Sequence, residues 1–258
     1  MTRLSAGNER VKRLRKLCRR RSVRRDEGLF VLHGPTLLAE ALSAGEVALV
    51  EVFVSEPLAP GMAATLDASG VDVFEVDPGV LQKAVDVVTP QSVVATARLP
   101  EDSLDRVLAP ADGLVLGLMG VGDPGNVGTL IRTAEAAGLR GVLVGPETAD
   151  PFGPKTVRAS AGSVLRVPIA SLADGEVEEL GLLGWDVVVT AGDGGGPLES
   201  HPWAAASIVL LGNEATGLTP ETIQGADAII TIDHEPSVES LNVATAGALV
   251  MFDWRRRT

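Results

Sequence analysis

The sequence predicts an α/β protein: a small α/β/α unit followed by a parallel sheet covered on both faces. Three observations carry this. Strand-length runs such as LVLGLMG, WDVVVTAG and SIVLLG are apolar almost throughout, as strands buried on both faces must be. Helical stretches alternate with them, the rhythm of layered α/β folds. Leu, Val and Ala dominate while aromatics are only 3%, which suits a buried sheet better than a base-stacking surface. With 258 residues the chain is long enough for one large domain or two small ones.

Residues 8–20 (NERVKRLRKLCRR) predict a helix, because Val11, Leu14, Leu17 and Cys18 form an apolar stripe among basic residues. Strands are predicted over 28–34, 47–55, 71–77 and 92–98. Helices fall between them at 35–45, near 62–68 and at LQKAV; Pro35 suits a first turn and Gly45 a stop. Residues 99–112 break the rhythm with two prolines and four acids, and a short helical turn is expected at 104–108. This divides the chain into a domain over 1–98, a linker over 99–112 and a second domain over 113–258. In the second domain a helix is predicted at 126–137, stopped by Gly138. A loop entering a short helix follows at PFGPKTVRASAG, then a strand at VLRVPI and a helix at 176–183. Strands are predicted at WDVVVTAG, SIVLLG and AIITI, and a closing helix at 240–254.

The formal charge of −12 is unevenly distributed. Residues 1–25 hold eleven Lys or Arg and one acid, and Arg255, Arg256 and Arg257 add three more at the far end. The remainder carries a net charge of −25, so a basic arm stands on an acidic body. The arm is either a solvated basic helix or a polyanion-binding element. Its candidates for phosphate contact are Arg10, Lys12, Arg13, Arg15, Lys16, Arg19, Arg20, Arg21, Arg24 and Arg25, with Lys155 and Arg158 further on. The basic N-terminus is not followed by an apolar leader core, and no apolar run reaches membrane-span length. A cytoplasmic protein is expected. One cysteine, Cys18, excludes a disulfide framework, and the three histidines lack metal-site spacing.

Gly120-Val121-Gly122-Asp123-Pro124-Gly125 is a literal G-x-G-x-x-G between a strand and a helix, the context of a dinucleotide turn. Against that reading, Pro124 removes a backbone N–H from the loop that would face a pyrophosphate. Asn126 is the candidate N-cap of the next helix, and Arg132 follows nearly two turns on. Gly212-Asn213-Glu214 ends an apolar strand, where ligands of open α/β sheets bind, but it also reads as a turn. Ser240 is a candidate N-cap of the last helix. That helix carries Ala244, Gly247 and Ala248 on one face, which suits close approach of another backbone within the chain or across a dimer.

Four blocks, NVGTLIRTAEAAG, PFGPKTVRASAGSVLRVPI, VLLGNEATGL and VESLNVATAGALVMF, together resemble the SpoU (TrmH-type) RNA 2′-O-ribose methyltransferases of the SPOUT superfamily. They occur in the family's order across residues 123–252. RVKRLRKLCRRRSVRRDEGLFVLHGPTLLAEAL resembles the opening of that family's RNA-binding extension, of L30e-like fold. One departure is His33, where the resemblance leads one to expect an acid. The resemblance implies a parallel sheet closed by a deep trefoil knot, S-adenosylmethionine as cofactor, and a homodimer joined through the knot region and last helix. It implies that the cofactor is held near Thr190, Ala191, Leu211, Gly212, Ile232 and Leu241. It implicates Arg132 in activating the ribose hydroxyl, with Asn126, Glu214, Ser240 and Asn242 orienting the site. An arginine is effectively always protonated, so stabilising alkoxide charge stands beside action as a base. The expected substrate is RNA, ribosomal rather than transfer RNA. The competing readings are a non-catalytic RNA-binding factor of the same fold and an NAD-binding oxidoreductase.

Overall fold

The structure, a computed structural model, describes residues 1–45, 47–85, 91–173, 175–235 and 237–257. The chain forms two compact units, one of Met1–Pro100 with Phe152–Arg166, the other of Glu101–Pro151 with Val167–Thr258.

The first unit begins with β1 (Thr2–Leu4), α1 (Glu9–Arg19) and α2 (Arg21–Glu27). It continues through β2 (Leu29–His33), α3 (Pro35–Ala44), β3 (Leu49–Val54), α4 (Pro60–Ser69), β4 (Asp72–Val76), α5 (Pro78–Val85) and β5 (Val93–Arg98). The sheet order is β1-β4-β3-β5-β2, with β5 antiparallel to both neighbours. The predicted stripe of α1 is buried at Val11, Leu14 and Leu17, beside Phe53, Val76 and Leu81. Each such side chain stabilises the fold by about 1.5–3 kcal/mol relative to exposure. Two elements lie beyond the sequence pattern. Strand β1 is three residues long and buries only Leu4. Helix α2 has no apolar period; it is held by Gly28 in the left-handed region at its end and by buried Arg24, which donates to the Leu17 carbonyl.

The second unit starts with α6 (Leu104–Leu108), β6 (Gly113–Leu118), α7 (Pro124–Ala137) and β7 (Gly141–Val144). Helix α8 (Pro154–Ala159) belongs to the first unit. The second unit resumes with β8 (Ile169–Ser171), α9 (Val177–Leu180), β9 (Asp186–Thr190), β10 (Gly196–Pro197), β11 (Ala206–Leu211), α10 (Pro220–Gln224), β12 (Ala228–Thr231) and α11 (Val243–Arg257). The sheet order is β10-β12-β9-β11-β6-β7-β8, and every pairing is parallel, as the apolar strand runs predict. No described helix is long and apolar enough to cross a membrane.

Three local expectations change, and at Gly247 the within-chain alternative is the one observed. Asn126 does not cap α7: the helix starts at Pro124, and Asp123 accepts from the Asn126 N–H at 2.9 Å. Proline at the first turn is the reason, since its fixed φ suits that position and it needs no N–H there. Ser240 does not cap α11, which begins three residues later; Asn242 accepts from the Ala244 N–H at 2.9 Å instead. The run VLRVPI does not form one strand: a 3₁₀ turn covers Ser163–Leu165, and β8 starts only at Ile169. The small-residue face of α11 serves the chain itself. A Cβ on Gly247 would lie 2.4 Å from Leu130 Cδ2 and 2.8 Å from Leu211 Cδ1, so glycine lets α11 close onto α7 and β11.

Candidate active site

Strands β6 and β11 are neighbours in register, with Leu118 opposite Leu211, so the loops that follow them emerge side by side. Asn213 ties them together: its Nδ2 donates to the Gly120 carbonyl at 2.8 Å. Its Oδ1 accepts from the N–H groups of Ala215 and Thr216, which curls residues 213–217 into a tight turn. Gly212 sits beneath that turn. A Cβ there would lie 2.5 Å from the Gly217 carbonyl carbon and the Leu218 nitrogen, both backbone atoms that cannot give way.

A cleft of about 790 Å³, counting the space in its mouth, opens at these strand ends. It is lined by Thr190 at the end of β9 and Ala191 after it, by Leu211 at the end of β11 with Gly212 and Glu214 after it, by Ile232 after β12, and by Ser240 and Leu241 before α11. All six residues expected to hold a cofactor therefore share one wall system, although they are spread over more than fifty residues of chain. The position agrees with the general placement of ligands beyond the carboxyl ends of parallel strands. Asn213, singled out with Gly212 and Glu214 at the strand end, is in the same lining, and reading the sequence missed Gly192, Gly217, His234, Val243 and Ala246 there. No local pattern marks the side chains that a distant strand end will meet.

Three of the five polar candidates form a hydrogen-bonded row. Asn242 Nδ2 donates to Asn126 Oδ1 at 3.2 Å, and Asn126 Nδ2 donates to Glu214 Oε1 at 2.9 Å. The row joins the first turn of α7, the loop after β11 and the cap of α11. Each amide is oriented by what it gives and receives, so Glu214 is held at the edge of the cleft with one oxygen engaged. Ser240 lines the cleft. Arg132 is exposed on α7 and has no side-chain hydrogen bond or ion pair among the described residues. Its guanidinium is thus not engaged with the row.

The G-x-G-x-x-G loop is engaged by groups of the chain itself. The Gly120 N–H donates to the Pro146 carbonyl and to Thr148 Oγ1, and the Asp123 carboxylate occupies the start of α7. A carboxylate at a helix N-terminus takes the place that a pyrophosphate would need.

In the first unit the arginines of the basic arm divide into those paired within the fold and those left to solvent. Glu51 is only 2% exposed, and its two oxygens pair with Arg10 and Arg13. A buried carboxylate requires such partners. Arg10 also lies over the Phe74 ring at 4.6 Å. Arg24 is buried. These three candidate RNA contacts are committed to the fold, while Lys12 pairs with Glu9 on the surface. Lys16, Arg19, Arg20, Arg25, Lys155 and Arg158 are exposed, and Arg15 and Arg21 are half-buried. His33 is buried beside Arg158, and its Nε2 has no hydrogen-bond partner. Burial, and then the Arg158 charge, push the ring down to about 4.

A parallel α/β unit with a cleft at its strand ends and a polar row at the cleft edge has the ligand-binding arrangement of open α/β folds. Comparison makes the class specific. Residues 113–252 match the SpoU rRNA Methylase family, and the chain belongs to that family. Residues 8–95 match the MRM3-like substrate binding domain. The chain is 31% identical over 252 residues to the 23S rRNA (guanosine(2553)-2'-O)-methyltransferase RlmP of Bacillus subtilis, spanning 97% of this chain and 98% of that one. It is similar to the AdoMet-bound rRNA methyltransferase of Sinorhizobium meliloti, with a TM-score of 0.88 and 32% identity over 100% of this chain and 97% of that one. It is also similar to the SpoU methyltransferase AviRb of Streptomyces viridochromogenes in complex with AdoMet, with a TM-score of 0.86 and 27% identity over 97% and 98% of the two chains.

Proposed function

We propose that this protein transfers a methyl group from S-adenosylmethionine to a ribose 2′-OH of ribosomal RNA, in the cytoplasm. The observation that carries the reading is the row Asn242, Asn126, Glu214 at the edge of the strand-end cleft. The cleft fits the cofactor by chemistry: apolar Leu211, Ile232 and Leu241 suit a purine, and Glu214 is a carboxylate for a cationic ligand. When bound, S-adenosylmethionine supplies a methyl group activated by its sulfonium. The chain's own work is then to place the hydroxyl in line with that methyl and to stabilise charge as the proton leaves. The row holds Glu214 and the first turn of α7 in fixed relation. Arg132, exposed and unengaged on that helix, is the cation assigned to the developing alkoxide and a neighbouring phosphate. The SPOUT knot is part of the reading, threading α11 through the loops that build the cleft.

RNA is gripped by the first unit, over residues 1–98 together with Lys155 and Arg158 of α8, and methyl transfer belongs to residues 113–258. The cations left to solvent meet phosphates, and Arg10 and Arg13 hold Glu51. Replacing Lys16, Arg20 and Arg25 by Gln should lower the slope of log affinity against log salt by about three, roughly one per phosphate contact, without changing cofactor affinity. An unchanged slope in a filter-binding series removes the arm from the interface. A homodimer is supported by α11. The side away from Gly247 leaves Leu249 and Phe252 exposed at 43% and 41%, spaced to lie on one face.

The reading is tested by mapping 2′-O-methylation on ribosomal RNA from cells with and without the gene. One ribose should lose its methyl in the deletion and regain it on complementation. An identical map in both strains overturns the proposal.

A further inference from the structure

Asn213 stands where the loops after β6 and β11 meet, and its side-chain amide is divided between them. Its Oδ1 accepts from the backbone N–H groups of Ala215 at 2.8 Å and Thr216 at 3.1 Å. Its Nδ2 donates to the Gly120 carbonyl at 2.8 Å. These partners fix the orientation of the amide, since N–H groups need an acceptor and a carbonyl needs a donor. Gly120 is held at its N–H as well, which donates to Thr148 Oγ1 at 3.0 Å, and that hydroxyl donates to the Leu118 carbonyl at 2.8 Å. The two halves of the amide serve different walls. The acceptor half shapes the turn over 213–217, which packs on Gly212 and lines the cleft. That turn has a second support, because Asn213 and Gly217 exchange backbone hydrogen bonds at 3.2 and 2.9 Å. The donor half reaches the loop that leads into α7, the helix of Asn126 and Arg132.

Resting on the function proposed above, we infer that Asn213 is a positioning residue for methyl transfer: its Nδ2–H sets the register of α7, and so of Asn126 and Arg132, against the wall that holds the cofactor. It acts through the Gly120 peptide rather than on the reacting atoms. The polar row alone is a looser tie, since Asn126 meets Glu214 tip to tip and Glu214 is exposed. The Asn213 link has backbone at both ends, turn N–H groups on one side and the Gly120 carbonyl on the other. Register matters because a misplacement of about 1 Å between reacting groups can cost on the order of 100-fold in rate.

The test is Asn213→Asp in the intact protein. Affinity for S-adenosylhomocysteine is read by calorimetry, and kcat by methyl transfer to ribosomal RNA from cells lacking the gene. The carboxylate keeps an acceptor for Ala215 and Thr216 at the same side-chain length, but has no proton to donate to Gly120. The thioether product is the probe because it lacks the sulfonium charge that a new carboxylate would attract. Affinity should stay within about threefold of wild type while kcat falls about 100-fold. Thr148→Val takes the hydroxyl from the Gly120 N–H, and Thr148 is not among the described residues that line the cleft. It should lower kcat about tenfold, the loss of one hydrogen bond, with affinity unchanged. A loosening of the structure in general would move affinity and kcat together. A kcat within about twofold of wild type in the variants that fold, or affinity that falls in step with kcat, overturns the positioning role and leaves methyl transfer by the wild type standing. A wild type that neither binds the product nor transfers methyl overturns both.

Discussion

The two glycine loops at the ends of β6 and β11 lie side by side and use their glycines in opposite ways. Residues 120–125 carry the spacing of a dinucleotide turn, but the Gly120 N–H is bound by Pro146 and Thr148 and the Asp123 carboxylate caps the helix that follows. Residues 212–217 carry no such spacing, yet they form the wall of the cleft. Gly212 serves there by close approach of two backbone segments, and Asn213 folds the turn above it. What separates the loops is the occupant of their backbone groups. Glycine spacing records only that side chains are missing. The arginines of the first unit repeat the lesson: identical residue types on one helix are divided by whether Glu51 stands opposite.

The sharpest break in the comparison is Gly212→Ala. A Cβ pressed onto backbone atoms 2.5 Å away should cost about 3 kcal/mol in urea unfolding and abolish cofactor binding in calorimetry. Gly122→Ala is the opposite case, since a Cβ there meets nothing within 4 Å, and should be silent within about 0.5 kcal/mol. If the two substitutions behave alike, the contrast between the loops is wrong.

Arg132→Lys asks whether the helix leaving the closed loop still serves the open one. Losing the planar guanidinium should lower kcat/KM about 100-fold in a methyl-transfer assay, with cofactor affinity within about twofold of wild type. Near-normal turnover assigns the alkoxide to another group.

His33 is the case of a buried polar atom with no partner. Its ring is pushed down to about 4 by burial and then by Arg158. An unfolded imidazole titrates near 6.5. Between those values the unfolded chain binds more protons, so stability is full above the unfolded value and is lost as pH falls towards 4. The loss should reach about 2 kcal/mol, allowing for residual solvent screening. His33→Leu should flatten this part of the pH profile in urea titrations at pH 7.5 and 4.5; a parallel profile removes His33 as its source.

The smallest effect belongs to the closed loop. Asp123→Ala removes the side-chain cap of α7 and should cost about 1 kcal/mol, measured the same way. Unchanged stability there means that the carboxylate does not cap the helix.

Much of this molecule was legible in one dimension because its period is local. Apolar runs marked the strands of both sheets, and the stripe Val11, Leu14, Leu17 marked α1 and its buried face. Gly28, Gly45 and Gly138 are helix stops in the left-handed region. The resemblance of four ordered blocks led to a family that the comparisons establish. Elements without a local signal stayed hidden: β1 is too short to show alternation, and α2 depends on a buried arginine reaching back to Leu17. Helix starts shifted by two or three residues, because Asp123 and Asn242 outcompeted Asn126 and Ser240 for the capping role.

By itself, then, the sequence determined the α/β class, the parallel second sheet, the basic arm and the residue types available for chemistry. Those properties follow from periodicity and composition, which act over a few residues. Only the tertiary structure decided which groups share a site. Asn126, Glu214 and Asn242 are brought within hydrogen-bond reach from three distant stretches because β6 and β11 pair in register and α11 closes onto α7 through Gly247. It also decided which arginines are held by the fold, since Glu51 is buried opposite Arg10 and Arg13 and the Leu17 carbonyl opposite Arg24. And it placed His234 on the cleft wall, where nothing local in the sequence marks it.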